Sequence, residues 1–326
     1  MRRSKFCLTL LLLLTVALCF AARAAAQTNV ALIGVLTPGL TFEPALEGLR
    51  EGLARFGYRE GSNIRFRIED SKGDLSVLAS LAAKLVAAKP DVLFTVVTPP
   101  TLAAQQATQT IPIVFAGVVD PIQSGLASSF ASSGNNLTGV TAYTAYLSGK
   151  RLEALKEIVP QTRKVLAIVS TKEIVAQNSV KQLEEASLKM GVKVVRRDVA
   201  DTEEMNKLLL DRWAGTVDAI FHLPSIFVEK HMERLIDKSV KERLPLIVHD
   251  DTLLRMGALA SYGGDFRLYG AQAARLVAKV LKGARPMDIP VEVPDRLVLT
   301  INLATAKTIG LKIPRNVLAR ADQLVE

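Results

Sequence analysis

Two successive series of short apolar strands alternating with amphipathic helices constrain this chain more than any other feature. Residues 30–36 form a continuous apolar run, the pattern of a strand covered on both faces of a parallel sheet. A helix over 44–56 and a strand over 64–68 follow. Next comes a helix in which Leu75, Leu78, Ala82, Leu85 and Val86 recur at helical spacing. A strand over 91–97, a short helix over 101–108 and a strand over 111–116 complete the first series. After a helix over 149–159 the order begins again, with strands over 165–170, 192–197, 219–223 and 246–249 separated by helices over 174–190, 202–212 and 227–241.

Two β/α series of similar size predict an α/β protein made of two doubly wound, Rossmann-like lobes. A single (β/α)8 barrel is the competing arrangement, since eight alternating strands also fit its usual ~250 residues. The tail argues against it. A strand over 258–261, a helix over 267–281 and a strand over 296–301 have no place in a closed barrel, but suit a chain that recrosses between lobes.

The first 26 residues stand apart. A basic start (Arg2, Arg3, Lys5), an apolar stretch over 6–20 and the small residues of 21–26 form the pattern of a secretory signal peptide. Cleavage is expected after Ala24-Ala25-Ala26, which would send the mature chain to the periplasm. The apolar run is shorter than the roughly 20 residues a membrane span needs. No later stretch reaches about 18 uninterrupted apolar residues, so the mature chain is expected to be soluble. Cys7 and Cys19 both lie in this leader, so neither a disulfide nor thiol catalysis is expected after cleavage. Leu18 is too large to precede a lipid-attachment cysteine at position 19.

Composition narrows the function. The chain carries 41 Lys and Arg against 32 Asp and Glu, but four of the basic residues (Arg2, Arg3, Lys5, Arg23) belong to the leader. The remaining mild excess is not gathered into a block, which argues against a nucleic-acid partner. Gly34-Val-Leu-Thr-Pro-Gly39 lacks the spacing of a dinucleotide fingerprint, and no phosphate-binding loop, H-E-x-x-H or G-x-S-x-G occurs. No cofactor, metal or catalytic residue is therefore expected. His222 and His249 fall at the carboxyl ends of strands, where a structural hydrogen bond competes with ligand contact; His231 reads as solvated.

Ligands of open α/β sheets bind beyond the carboxyl ends of the strands. The loops there supply Thr41, Thr98, Pro99, Pro100, Thr101 and Asp120 from the first series, and Thr171, Asn178, Ser225, His249 and Asp250 from the second. Tyr143 and Tyr262 fall where the chain is expected to cross between lobes. The Thr98–Thr101 loop would hold an anionic group with first-turn amides, and Asp120 or Asp250 an ammonium. Helix capping is the competing role for Thr98, Asp120, Asp250 and Asp251.

Several ordered motifs carry a resemblance. Asp120-Pro-Ile-Gln-Ser-Gly-Leu126, Gly134-Asn-Asn-Leu-Thr-Gly-Val140, Gly257-Ala-Leu-Ala-Ser-Tyr-Gly263, Leu281-Lys-Gly-Ala-Arg-Pro286 and Ile289-Pro-Val291 resemble the ABC-transporter substrate-binding proteins of the tryptophan/tyrosine-binding type. So does the ending, Ile301-Asn-Leu-Ala-Thr-Ala-Lys307 with Gly310-Leu-Lys-Ile-Pro314 and Leu318-Ala-Arg-Ala-Asp322. The resemblance implies a type I periplasmic-binding fold with three crossings, the first lobe spanning 27–145 plus 257–290 and the second 146–256 plus 291–326. It implies a monomer that encloses a small ligand, an amino acid or aromatic carboxylate, by hinge closure and delivers it to an ABC permease without doing chemistry. An exported ligand sensor of the same fold, or a divergent exported hydrolase, are the alternatives. The charged His249-Asp250-Asp251 segment departs from the family pattern and would suit a ligand bearing an amine or hydroxyls.

Overall fold

The computed structural model describes residues 30–39, 42–144 and 146–326; the expected leader and Thr41 lie outside these residues. The first series builds a parallel five-stranded sheet in the order β2-β1-β3-β4-β5, from β1 (Ala31–Thr37), β2 (Ile64–Asp70), β3 (Val92–Val96), β4 (Ile113–Val118) and β5 (Leu137–Thr141). Its helices are α1 (Glu43–Arg55), α2 (Leu78–Ala87) and α3 (Thr98–Ala107). Alternate residues of each strand serve opposite cores. Ile33, Val35, Phe94, Val96, Val114 and Ala116 face one apolar layer, and Leu36, Leu93, Ile113 and Phe115 the other. Both faces are covered, which is why these strands read as unbroken apolar runs.

The second sheet has seven strands in the order β12-β11-β10-β9-β8-β6-β7: β6 (Lys164–Ser170), β7 (Lys193–Val199), β8 (Ala219–Phe221), β9 (Leu246–Val248), β10 (Ala260–Gly263), β11 (Val298–Asn302) and β12 (Gln323–Val325). Helices α4 (Ser148–Ile158), α5 (Ile174–Met190), α6 (Thr202–Leu210), α7 (Ile226–Glu229), α8 (Met232–Lys241) and α9 (Asp251–Arg255) accompany it. Two separate sheets exclude the barrel. The single helix expected over 227–241 is broken into α7 and α8 at Lys230-His231.

The crossings fall at 142–147, at Gly264-Asp265 and between Glu292 and β11. Strand β10 pairs with β9 and β11 inside the second sheet, so 257–263 belong to the second lobe, not the first as expected. Alternation marks a strand but does not say which sheet receives it. Likewise Glu292 exchanges backbone bonds of 2.9 Å with Gly139 and Thr141 beside β5, which extends the first lobe past 290. Because β5 and β10 run parallel to their β4 and β9 neighbours and both lead into crossings, the carboxyl edges of the two sheets flank the same cleft.

Helix α10 (Phe266–Leu281) returns to the first lobe and packs along α1. The backbones meet so closely that a Cβ at Gly48 would lie 1.9 Å from the Arg267 carbonyl oxygen, and one at Gly270 1.8 Å from that of Ala45. Arg267 spans the same contact to Glu47 at 2.9 Å and to Glu51. Small helices α11 (Leu303–Thr308) and α12 (Arg315–Arg320) close the second lobe. Replacing Gly270 by Ala should force the two helices apart and lower the stability by about 1–3 kcal/mol despite the gain in helix propensity. Urea unfolding followed by circular dichroism measures this, and an unchanged or raised midpoint would refute the close packing.

Candidate functional site

Three backbone irregularities converge on the carboxyl edge of the first sheet. Val97 has φ +59°, an outlier for a β-branched residue, and Tyr143 has φ +54°. Gly117, at φ +75°, marks a register break between β4 and β5, where Phe266 would lie 2.8 Å from an added Cβ. Val118 to Asp120 follow this break at the carboxyl end of β4. Strain of this kind persists where surrounding structure enforces it.

The first-lobe edge offers an acceptor beside aromatic rings. One oxygen of Asp120 accepts the Ile122 and Gln123 amides at 3.1 and 3.0 Å, fixing the carboxylate. Among the described residues its other oxygen has no donor. Tyr143 stacks on Tyr146, with ring centroids 4.6 Å apart and planes at 17°, and meets the edge of Phe130 at 6.1 Å. Tyr146 is 46% exposed. Burial of its inner side, then the charge of Asp120, raises its phenol above the ordinary value, so the hydroxyl stays protonated.

The second-lobe edge is built from groups that satisfy one another. Ser225 caps α7 by accepting the Val228 amide at 3.1 Å and donates its hydroxyl to Glu173, which also accepts the Phe227 amide at 3.2 Å. Asp250 caps α9 through the Leu253 amide at 3.0 Å, accepts the Thr252 hydroxyl at 2.6 Å, and lies 3.1 Å from Nε2 of His249. Burial opposes its ionisation, but the His249 ring and these bonds win and hold the carboxyl well below the usual range. His222 faces His249 with Nδ1 atoms 3.3 Å apart, and burial keeps it neutral. Glu229, partly buried beside them, is pushed up to about 7 by the loss of water, with His249 resisting.

Arg151 joins the edges. It is fully buried, donates to the carbonyls of Thr144 at 3.3 Å and Tyr262 at 3.2 Å, and lies over Phe221. It thus ties the first crossing to the strand that enters the second. Burial lowers its pKa to about 10, which leaves it charged at neutral pH, with Asp250 favouring the cation. From the other side, Tyr269 of α10 donates its hydroxyl to the Ala142 carbonyl at 3.3 Å.

Comparison with known proteins now decides the family. The family model described as ABC transporter substrate binding protein matches residues 30–325. The chain belongs to this family. The tyrosine-binding protein of Clostridioides difficile is 28% identical over 286 residues, covering 88% of this chain and 82% of its own. The ABC domain of Streptococcus pneumoniae solved in complex with L-Trp is 26% identical, with a TM-score of 0.78 over 90% of this chain and 99% of that one. The ligand-free, open structure of a Clostridium difficile substrate-binding protein with adhesive properties gives 25% identity and a TM-score of 0.76, covering 91% and 99%. The two-lobed architecture is that of type I periplasmic binding proteins. This substrate-binding protein is thus a solute receptor of a family that works outside the cytoplasm.

The residues singled out from sequence divide sharply in the substrate-binding protein. Thr98, Pro99, Asp120 and Tyr143 follow the carboxyl ends of β3, β4 and β5 in the first lobe. Thr101 does not serve it: fully buried, its hydroxyl is spent on Thr95 at 2.8 Å and the Val97 carbonyl at 2.7 Å, and Pro100 is buried beside it. Prolines at 99 and 100 have no N–H, so the helix start cannot present the cluster of amides that the anion site required. The Thr98 hydroxyl accepts the Val119 amide at 3.3 Å, which links two loops rather than capping α3. Thr171 is exposed and bonded to the Val199 carbonyl; Asn178 is half-buried on α5. Tyr262 packs against the second-lobe core, Ser225 and Asp250 act as caps, and His249 is buried among its partners. Both oxygens of Asp250 are already engaged, one by Leu253 and Thr252 and the other by His249.

Sequence reasoning missed Arg151, Glu173 and Glu229. Each looks like an ordinary charge on a helix or helix start; tertiary packing buries Arg151 fully and partly encloses Glu173 and Glu229. Arg151→Met keeps the volume but takes a donor from the Tyr262 carbonyl and leaves that of Thr144 only the Leu147 amide at 3.3 Å. Stability should fall by about 2–4 kcal/mol in denaturant titration; an unchanged midpoint would show that Arg151 does not bind the crossings together.

Proposed function

We propose that this chain is the periplasmic receptor of an ABC importer for an amino acid with a large, preferably aromatic, side chain. The observation that carries the reading is the Tyr143–Tyr146 stack beside the half-used carboxylate of Asp120 at the cleft edge of the first lobe. An ammonium would take the free oxygen of Asp120 in a charge-assisted bond, and an aromatic ring would extend the stack. The Thr98 amide, the one N–H at the start of α3 not replaced by proline, would receive the carboxylate. The relatives that bind tyrosine or tryptophan support the same class of cargo.

Closure about the crossings would bury the ligand and present both lobes to a membrane permease, with the protein acting as a monomer and performing no chemistry. A leader ending near Ala26 would deliver it to that compartment. Thermal unfolding against tryptophan, tyrosine, phenylalanine, leucine, sugars and polyamines tests the cargo. A ligand at 100 times its Kd adds about 2.7 kcal/mol, so the right class gives a saturable rise in Tm. For that ligand, Asp120→Asn should weaken binding about tenfold or more and Tyr146→Ala about three- to tenfold, with the unliganded Tm nearly unchanged. Undiminished affinity in both variants would remove the cargo from this edge of the cleft.

A further inference from the structure

The group formed by His222, His249 and Glu229 takes no part in the reading above, yet it has the donor set of a metal centre. One atom from each, a ring nitrogen of either histidine and a carboxylate oxygen of Glu229, lie within 4.8 Å of one another. They come from separate elements: His222 follows β8, Glu229 ends α7, and His249 follows β9. Both histidines are more than nine-tenths buried.

The two imidazoles meet nitrogen to nitrogen at 3.3 Å. That is long for a hydrogen bond, whose usual N–H···acceptor distance is about 2.9–3.0 Å. It matches the edge of a tetrahedron with metal–nitrogen bonds of about 2.0–2.1 Å, which is about 3.3–3.4 Å. The remaining nitrogen of His249 faces Asp250 at 3.1 Å, the carboxylate–histidine arrangement that fixes the tautomer of a metal ligand. Among the described residues Nε2 of His222 is buried with no partner, so Nδ1, which faces His249, is the nitrogen of this ring that meets other groups. Glu229 and Asp250 supply two carboxylates against the one nearby guanidinium of Arg151.

We propose that His222, His249 and Glu229 form a binding site for a divalent transition metal of the zinc type, with Asp250 as the residue that orients His249. The site lies at the cleft edge of the second lobe and is independent of which solute the first lobe takes. Bound metal would replace the proton shared between the rings and bring Glu229 inward, joining α7 to β8 and β9.

The test uses protein carrying no histidine tag, stripped with chelator and titrated with Zn2+ by calorimetry. One site per chain and a saturable rise in Tm are expected. His222→Gln and His249→Gln should each weaken Zn2+ binding by more than about 100-fold, and Asp250→Asn by about 10–100-fold. His231→Gln, whose ring packs on Phe227 and is not among the three ligands, should change nothing. If a histidine variant fails to fold, Glu229→Gln, which can still accept the Ser225 amide, should weaken binding and alter the visible spectrum of the Co2+-substituted protein. Absence of Zn2+ binding, or binding that survives all of the cluster substitutions, overturns the proposal.

Discussion

A fully buried guanidinium holds the first crossing against the strand that leads into the second. Arg151 begins as one more basic residue on an amphipathic helix, but its donors end on Thr144, in the first crossing, and on Tyr262, in the strand that leads into the second. A buried cation survives only where fixed dipoles and an opposing charge replace hydration. Two carbonyls, the Phe221 face and the field of Asp250 do so here, while Nη1 is buried without a partner among the described residues. The orientation of the two carboxyl edges toward one cleft therefore rests on a polar contact inside the hinge, and Tyr269 locks the same passage to the first lobe.

The two edges of that cleft are chemically unlike. On the first lobe, groups are held in place with capacity left over: Asp120 is anchored through one oxygen, and the tyrosines are packed on one side and open on the other. On the second, Ser225, Glu173, Asp250 and His249 spend most of their capacity on each other. An edge of the first kind can receive an external molecule without breaking internal bonds. An edge of the second kind is stiff, and admits only a species that improves on the contacts already there. A metal ion between two facing imidazoles meets that condition.

Much of the architecture was readable because strands covered on both faces leave unbroken apolar runs and helices leave a periodic stripe. Val92 to Val96 needed no context to be recognised. Strand β5 escaped because Leu-Thr-Gly-Val-Thr mixes hydroxyls and glycine into the run, and β12 because it is three residues at an exposed edge. The cleft loops were located by topology, yet the roles within them were not. Sequence shows that Thr101 and Asp250 can accept or donate a bond; it does not show that Thr95 and His249 have already claimed it. Prolines 99 and 100 were an available signal, since residues without an N–H cannot help to bind an anion.

The return of α10 to α1 has a kinetic meaning. Glycine-mediated contact between residues near 48 and 270 closes the core of the first lobe with a helix encoded after most of the second. Such sequence separation raises contact order, and the loop must be closed before the contact rewards it. During synthesis the first five strands emerge long before the helix that covers one face of their sheet. The amino-terminal lobe thus cannot mature first, in the order domains generally follow, and the chain commits to its native form only when its last third is available.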